Sequence, residues 1–172
     1  KYKIVASSGE DKGTAAFDAP YYYGETDVVV KNMQMTSAEV VCSLVSVKVS
    51  AAFSPAFVAS FQYKLVVSNG ESSLEFSPTA GTIGKDAYFH VTDELSWKLD
   101  VENAKGETFS MADSYSDIKP NQHYDLYFDV RESGADAFGA AEFVITVDNS
   151  LEVKEYDMPI YIYPDLPIIM GQ

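Results

Sequence analysis

Apolar and polar residues alternate along most of the chain with a period of two residues. This period is typical of β-strands that bury one face and leave the other in water. About ten segments follow it. The clearest is 96–102, in which Trp97, Leu99 and Val101 alternate with polar or charged residues. Polar turns separate the segments, so the pattern predicts an all-β, mainly antiparallel β-sandwich.

The turn residues predict how the strands are joined. Asn69-Gly70 between the runs 61–67 and 74–76 is typical of a β-hairpin. Polar turns at 103–106 and 148–150 predict two more hairpins. Ser54 followed by Pro55 predicts one short helix near 54–60, because serine caps helices and proline suits their first position.

The run 38–50 contains a shift in its alternation. Its apolar residues form two sets of opposite parity: Val40, Cys42 and Leu44, then Val45, Val47 and Val49. We therefore predict a bulge or bend near Leu44 and Val45, where the strand passes from one sheet or edge to another. Cys42, the only cysteine, is predicted to be a small core residue. Residues 27–32, with three consecutive valines, are predicted to be a strand covered on both faces.

The length of 172 residues suits a single domain, which we place at 1–172. A small, polar stretch at 131–139 is predicted to be a long loop, with a linker and sub-boundary as the alternative. The net charge of −14 argues against nucleic acid and anionic membranes as partners, because both require clustered cations. No apolar run reaches the ~20 residues of a membrane span.

Residues that could carry chemistry are few. His90 and His123 lie outside any metal-ligand spacing. The aspartates of 113–117 and 125–129 lack the glycine and terminal glutamate of a calcium loop. The sequence contains no nucleophile elbow and no phosphate-binding loop. We therefore predict a protein that is not an enzyme and that uses no cofactor or metal, with bound calcium left as an open question.

Three consecutive tyrosines are candidate ligand-binding residues. Tyr21, Tyr22 and Tyr23 could stack on sugar rings while their hydroxyl groups stay in water. Three neighbours in an extended chain cannot all face one way. The alternative is therefore a loop pinned across the edge of the sandwich.

A second aromatic pair lies near the C-terminus. Tyr161 and Tyr163 belong to an apolar segment, 156–169, that three prolines interrupt. Proline within a sheet is typical of edge strands, so this segment suits an assembly edge or an arm that joins another sheet. A strand packed on its own domain is the alternative.

The order of several motifs resembles a known family. The segments are AAFDAPYYYG (15–24), CSLVSVKV (42–49), FQYKLVVSNG (61–70), IKPNQHYDLYFDV (118–130) and FVITVD (143–148). Together they resemble a domain-of-unknown-function family of Bacteroidetes surface lipoproteins, related to fimbrillin-like proteins. The resemblance implies a transthyretin-like β-sandwich, export through a lipoprotein signal missing from this chain, and no catalytic motif. Phe17 stands where the family usually has tryptophan.

The sequence and the resemblance together predict a non-catalytic module of the cell surface or outer membrane. Its expected partner is a protein or a glycan, and its membrane contact is expected only through a lipid anchor absent from this chain. Adhesion or pilus-like assembly is the first hypothesis. A carbohydrate-binding module of a surface glycan-uptake system is the alternative.

Overall fold

A computed structural model describes residues 1–9, 11–135, 141–148 and 153–162, with side chains described for 1–9 and 11–130. The described residues form thirteen strands and one helix. In chain order these are β1 (Tyr2–Ser8), β2 (Ala16–Phe17), β3 (Tyr22–Val28), β4 (Ser43–Leu44), β5 (Val47–Phe53), α1 (Pro55–Ser60), β6 (Phe61–Ser68), β7 (Ser73–Phe76), β8 (Asp86–Phe89), β9 (Glu94–Asn103), β10 (Thr108–Ser116), β11 (His123–Ala135), β12 (Ala141–Asp148) and β13 (Val153–Ile162).

The strands form three sheets. A six-stranded sheet has the order β13-β12-β11-β5-β8-β2, a four-stranded sheet has β10-β9-β6-β7, and a three-stranded sheet has β1-β3-β4. The described strand pairs are antiparallel except β5 and β11, which run parallel at the centre of the six-stranded sheet. The connection between these two strands passes through the four-stranded sheet, so no series of crossover helices is needed. The predicted all-β, mainly antiparallel sandwich with one short helix is confirmed.

The core lies between the six-stranded and four-stranded sheets. Alternate residues of β5, β8 and β11 are buried on one side, and alternate residues of β6 and β9, with Met111 of β10, on the other. Trp97 and Phe128 meet across the two layers with ring centroids 5.6 Å apart and ring planes at 80°. Trp97, Leu99 and Val101 are buried as their parity predicts, while Lys98 and Glu102 are exposed.

Helix α1 carries the chain from one layer to the other. Ser54 is its N-cap, and the Ser54 Oγ accepts a hydrogen bond from the Phe57 N–H at 3.1 Å. Pro55 occupies the first turn, and the Phe57 side chain is fully buried in the aromatic part of the core. The predicted short helix is confirmed. Within the described part of the chain, no helix is long and apolar enough to cross a membrane.

The predicted hairpins are present. β6 and β7 pair across the Asn69-Gly70 turn, and β9 and β10 pair across 104–107. β12 and β13 also pair in antiparallel fashion, although residues 149–152 between them lie outside the described residues. β11 continues to Ala135, so the first part of the predicted 131–139 loop is strand.

The shift in the run 38–50 corresponds to a change of sheet. β4 ends at Leu44 in the three-stranded sheet, and β5 begins at Val47 in the six-stranded sheet. Val45 and Ser46 form the bend between them. The predicted bend at this point is confirmed.

Two predictions of burial are wrong. Cys42 is exposed rather than a core residue. Val29 and Val30 are 58% and 55% exposed and follow the end of β3, so 27–32 is not a strand covered on both faces. Both errors fall on the three-stranded sheet or the segments beside it, and no other described element covers these residues.

Candidate ligand-binding pocket

A pocket of about 260 Å³ lies where the three-stranded sheet approaches the outer face of the six-stranded sheet. Tyr21, just before β3, and Tyr88, in β8, both line it, and we call it the tyrosine pocket. Tyr88 faces outward because its neighbours in β8, Ala87 and Phe89, are fully buried in the core. The other walls come from the loop after β1, the bend between β4 and β5, and the residues after β8.

Asp11 holds the loop after β1 against the end of β8. Its Oδ1 accepts a hydrogen bond from the Gly13 N–H at 3.0 Å and lies 3.1 Å from Nε2 of His90. Gly13 has a φ of 67°, a conformation that glycine adopts without strain. Both contacts use Oδ1, so within the described residues Oδ2 of Asp11 is left for a ligand.

The bend between β4 and β5 supplies one wall of the pocket. The Val45 N–H donates to the Tyr21 carbonyl at 3.0 Å, and the Asn121 N–H donates to the Ser46 carbonyl at 3.1 Å. The Ser46 Oγ is buried, yet it has no hydrogen-bond partner among the described residues. A buried hydroxyl group without a partner is uncommon, and strain or a bound water molecule or ion is the usual reason for one.

Tyr88 supplies a neutral phenol to the pocket. Burial raises the pKa of Tyr88, and the negative charge of Asp86 raises it further. The phenol therefore stays protonated at neutral pH and can donate as well as accept a hydrogen bond.

The three consecutive tyrosines are separated by the structure. Tyr21 lines the pocket, Tyr22 is 37% exposed, and Tyr23 donates its hydroxyl hydrogen to Oε2 of Glu25 at 2.9 Å. That hydrogen bond is the largest cause of a raised pKa at Tyr23. Because Tyr22 and Tyr23 are adjacent in β3, their side chains project to opposite faces of the sheet. Tyr88 and Ser46 join Tyr21 in the pocket, and neither residue was a candidate ligand-binding residue in the sequence.

The two C-terminal tyrosines lie at or beyond the last described strand. Tyr161 is in β13, at the edge of the six-stranded sheet. Tyr163 lies outside the described residues.

A polar network lies beside the pocket on the outer face of the six-stranded sheet. Ser50 Oγ donates to Oδ1 of Asp86 at 2.7 Å, and it lies 2.9 Å from Nε2 of His123. The same Nε2 lies 2.9 Å from Oδ1 of Asp125. Because Ser50 gives its hydrogen to Asp86 and a single imidazole nitrogen faces both Ser50 and Asp125, this is not the geometry of an activated serine nucleophile.

Lys48 and Asp86 form the ionic part of this network, with Nζ and Oδ2 2.7 Å apart. Burial alone would raise the pKa of Asp86, but hydrogen bonds from Lys48 and Ser50, together with the Lys48 charge, hold it below its usual 3.8. The hydrogen bond to Asp86 raises the pKa of Lys48. The pair is therefore ionised at neutral pH, which suits a structural ion pair. Within the described part of the chain, no group of three potential ligands could hold a metal ion.

The fold and the pocket define an all-β sandwich with a small site of aromatic, hydroxyl and carboxylate side chains. The chain belongs to the family described as a domain of unknown function, DUF4493, whose model matches residues 1–161. No curated protein and no solved structure matches the chain. This match confirms that the chain belongs to a domain-of-unknown-function family, as the sequence resemblance implied. The relationship to fimbrillin-like proteins stays a prediction.

Proposed function

We propose that this chain is a non-catalytic module of the cell surface that acts in adhesion or pilus-like assembly. The observation that carries the proposal is the edge of the six-stranded sheet, where β13 pairs with β12 and, among the described strands, with no other. An open strand presents unpaired N–H and C=O groups, and a strand from another chain can complete the sheet.

The second half of β13 carries little protection against such pairing. Natural edge strands are usually guarded by charged residues or by proline, and 158–162 contains no charged residue, so Pro159 is its one guard of this kind. The register with β12 also shifts between Ala141 and Phe143, opposite 158–162. Irregular pairing at an edge leaves main-chain groups of that stretch available to a partner.

β1, one of the two edge strands of the three-stranded sheet, offers a contrast. Lys1 and Lys3 form ion pairs with Asp27 and Glu25 across β1 and β3, each with a distance of 2.7 Å. Lysine on an edge strand opposes pairing with another sheet. The comparison favours β13 over β1 as the assembly edge.

Sedimentation velocity of the purified chain tests the assembly proposal. We expect association that increases with protein concentration, and we expect Tyr161→Lys to weaken it by placing a charge on the β13 edge. Val58→Lys is the control, because Val58 is 49% exposed on α1 and lies outside β13. A free peptide with the sequence of 153–162 should compete with association.

A chain that stays monomeric up to its solubility limit and fails to attach to cells when coated on beads would refute the proposal. Export and lipid anchoring are proposed with it on the strength of the family resemblance. They have their own test in the full-length gene product, which should carry a lipoprotein signal ending in cysteine.

A second candidate function is carbohydrate binding. The observation that favours it is the tyrosine pocket, in which Tyr21 and Tyr88 lie beside hydroxyl and carboxylate groups. A glycan array with wild-type protein and Tyr21→Ala tests it, with Tyr22→Ala as a comparison because Tyr22 does not line the pocket. Equal glycan binding by all three proteins would argue against a role for this site.

A further inference from the structure

We propose that the tyrosine pocket binds one uncharged hexopyranose residue of a glycan. This inference deepens the carbohydrate-binding candidate and rests on it. It does not depend on the assembly edge. That edge is β13, whereas the pocket lies beside β2, at the opposite edge of the six-stranded sheet.

The size of the pocket suits a single sugar ring. Sites for drug-sized ligands have volumes of about 300–1,000 Å³, and this pocket, at about 260 Å³, lies just below that range. A longer oligosaccharide would therefore place one residue inside and leave the others in solvent.

The composition of the walls suits a ligand that has both apolar and polar faces. Tyr21 and Tyr88 provide ring surface, and Ala16 and Val45 add aliphatic surface. A pyranose has a face of C–H groups that packs on aromatic rings, and hydroxyl groups around its rim that need hydrogen-bond partners. A purely apolar ligand would leave the polar groups of these walls unpaired.

Three polar groups are positioned to meet those hydroxyl groups. Ser46 lines the pocket, and its Oγ is buried without a partner among the described residues, so a sugar hydroxyl can satisfy it once a small shift of the bend exposes it. Oδ2 of Asp11 can accept a second sugar hydroxyl, since Gly13 and His90 both contact Oδ1. The Tyr88 phenol is protonated and can donate.

The electrostatics of the pocket favour a neutral sugar over an acidic one. The chain carries a net charge of −14, and Asp11 places a carboxylate in the pocket wall. His90 is engaged by Asp11, which leaves Lys12, an exposed side chain, as the cation of the pocket wall. Asp11 and Lys12 balance within the wall, so the charge that disfavours a sugar carboxylate is the net −14 of the chain, and an uncharged hexopyranose is the class that fits.

Titration of the ¹⁵N-labelled chain with methyl glycosides of glucose, mannose and galactose tests the proposal, with methyl glucuronide as the anionic probe. At least one neutral glycoside should shift the amide signals of Val45, Ser46 and His90. Tyr88→Ala should weaken that binding by about tenfold. Tyr127→Ala should leave it unchanged, because Tyr127 is exposed on another strand of the same sheet and does not line the pocket.

Ser46→Ala separates a binding role from a structural one. Removal of an unpaired buried hydroxyl should leave the urea midpoint unchanged or raise it, while the affinity for the neutral glycoside falls several-fold. Ser114→Ala, at an exposed serine of the four-stranded sheet outside the pocket, is its control and should change neither quantity.

Three results would overturn the inference. These are no binding of any neutral glycoside, binding that Tyr88→Ala and Ser46→Ala leave intact, and binding of the glucuronide alone. The proposed assembly is measured separately by sedimentation and by Tyr161→Lys, so its failure would leave a positive titration intact. A monomeric protein that binds hexose would keep this inference and reject only the assembly proposal.

Discussion

Gly24 provides the sharpest test of how the segment before β4 packs against β3. It is buried in β3, paired with Ala6 of β1. A Cβ added at Gly24 would lie 2.2 Å from the Val41 carbonyl oxygen and 2.8 Å from its carbon, whereas ordinary contacts begin near 3.4 Å. The approaching atoms are backbone, so they cannot move aside as a flexible side chain would.

Gly24→Ala should therefore push the segment before β4 away from β3 by about 1 Å, which is the shortfall from normal contact. Overpacking of this kind typically costs about 1–3 kcal/mol. The pairing that resists it is short, since β4 meets β3 at two positions and the Val45 N–H donates to the Tyr21 carbonyl just beyond them. We expect β4 to detach locally, and the tyrosine pocket to lose the wall that contains Val45.

Hydrogen exchange and urea unfolding measure the two parts of this prediction. The Val45 amide should exchange faster in Gly24→Ala, and unfolding followed by the buried, single Trp97 should shift to lower urea. Thr26→Ala is the control, because Thr26 lies two residues further along β3 on the same face and the substitution adds no atoms. Wild-type stability together with wild-type Val45 protection in Gly24→Ala would refute the close approach of Val41.

Three further predictions each concern a single residue. Ser54→Ala removes the acceptor of the Phe57 N–H and should lower the free energy of unfolding by about 1 kcal/mol, measured in urea; no change would mean that the cap is dispensable. The pKa of Asp86 is lower in the folded state than its usual 3.8. Its ion pair with Lys48 therefore stabilises the folded protein above pH 3.8, and this stabilisation is lost as the pH falls through the folded-state pKa. Asp86→Asn should therefore lose less stability than wild type between about pH 6 and pH 2, and equal losses would contradict the ion pair. Cys42 should react with a thiol reagent in the native protein, and a reaction that required denaturant would restore its place in the core.

The sequence predicted the parts of the fold that depend on neighbouring residues, such as turns and helix caps. The Asn69-Gly70 turn fixes the β6–β7 hairpin, and Ser54 with Pro55 fixes the start of α1. In β9 the period of two assigns every described side chain to its face, because a second sheet covers one side of the strand and solvent the other.

The errors arise where burial depends on distant chain segments. Val29, Val30 and Cys42 are apolar, yet no described layer covers them. An apolar residue can be buried only if another element packs over it, and the sequence pattern carries no information about that element. The parallel pairing of β5 with β11 was missed for a similar reason, since it joins strands that are separated by the whole four-stranded sheet.

The candidate site was only partly predictable for the same physical reason. Tyr21 was a candidate because it is one of three adjacent tyrosines. Tyr88 follows the ordinary alternation of a strand, and it lines the pocket only because β8 lies next to the bend after β4 in the fold. Loop residues such as Asp11 reach the pocket through a contact with His90, which is remote in sequence. Sites assembled from separate loops depend on long-range contacts that no single motif records.

The shift of parity in 38–50 connects the sequence pattern to the pocket. A regular strand would have kept Val45 and Ser46 in the alternation, and each side chain would have faced either the core or solvent. The change of sheet after Leu44 instead turns both residues into the wall of the tyrosine pocket and leaves the Ser46 hydroxyl buried without a partner among the described residues. The break in the strand alternation coincides here with a buried hydroxyl group that lacks a partner among the described residues. Such combinations are expected at functional sites, where binding residues lower the stability of the fold. The irregularity of 38–50 is therefore the sequence feature that most directly marks one wall of the proposed ligand-binding pocket.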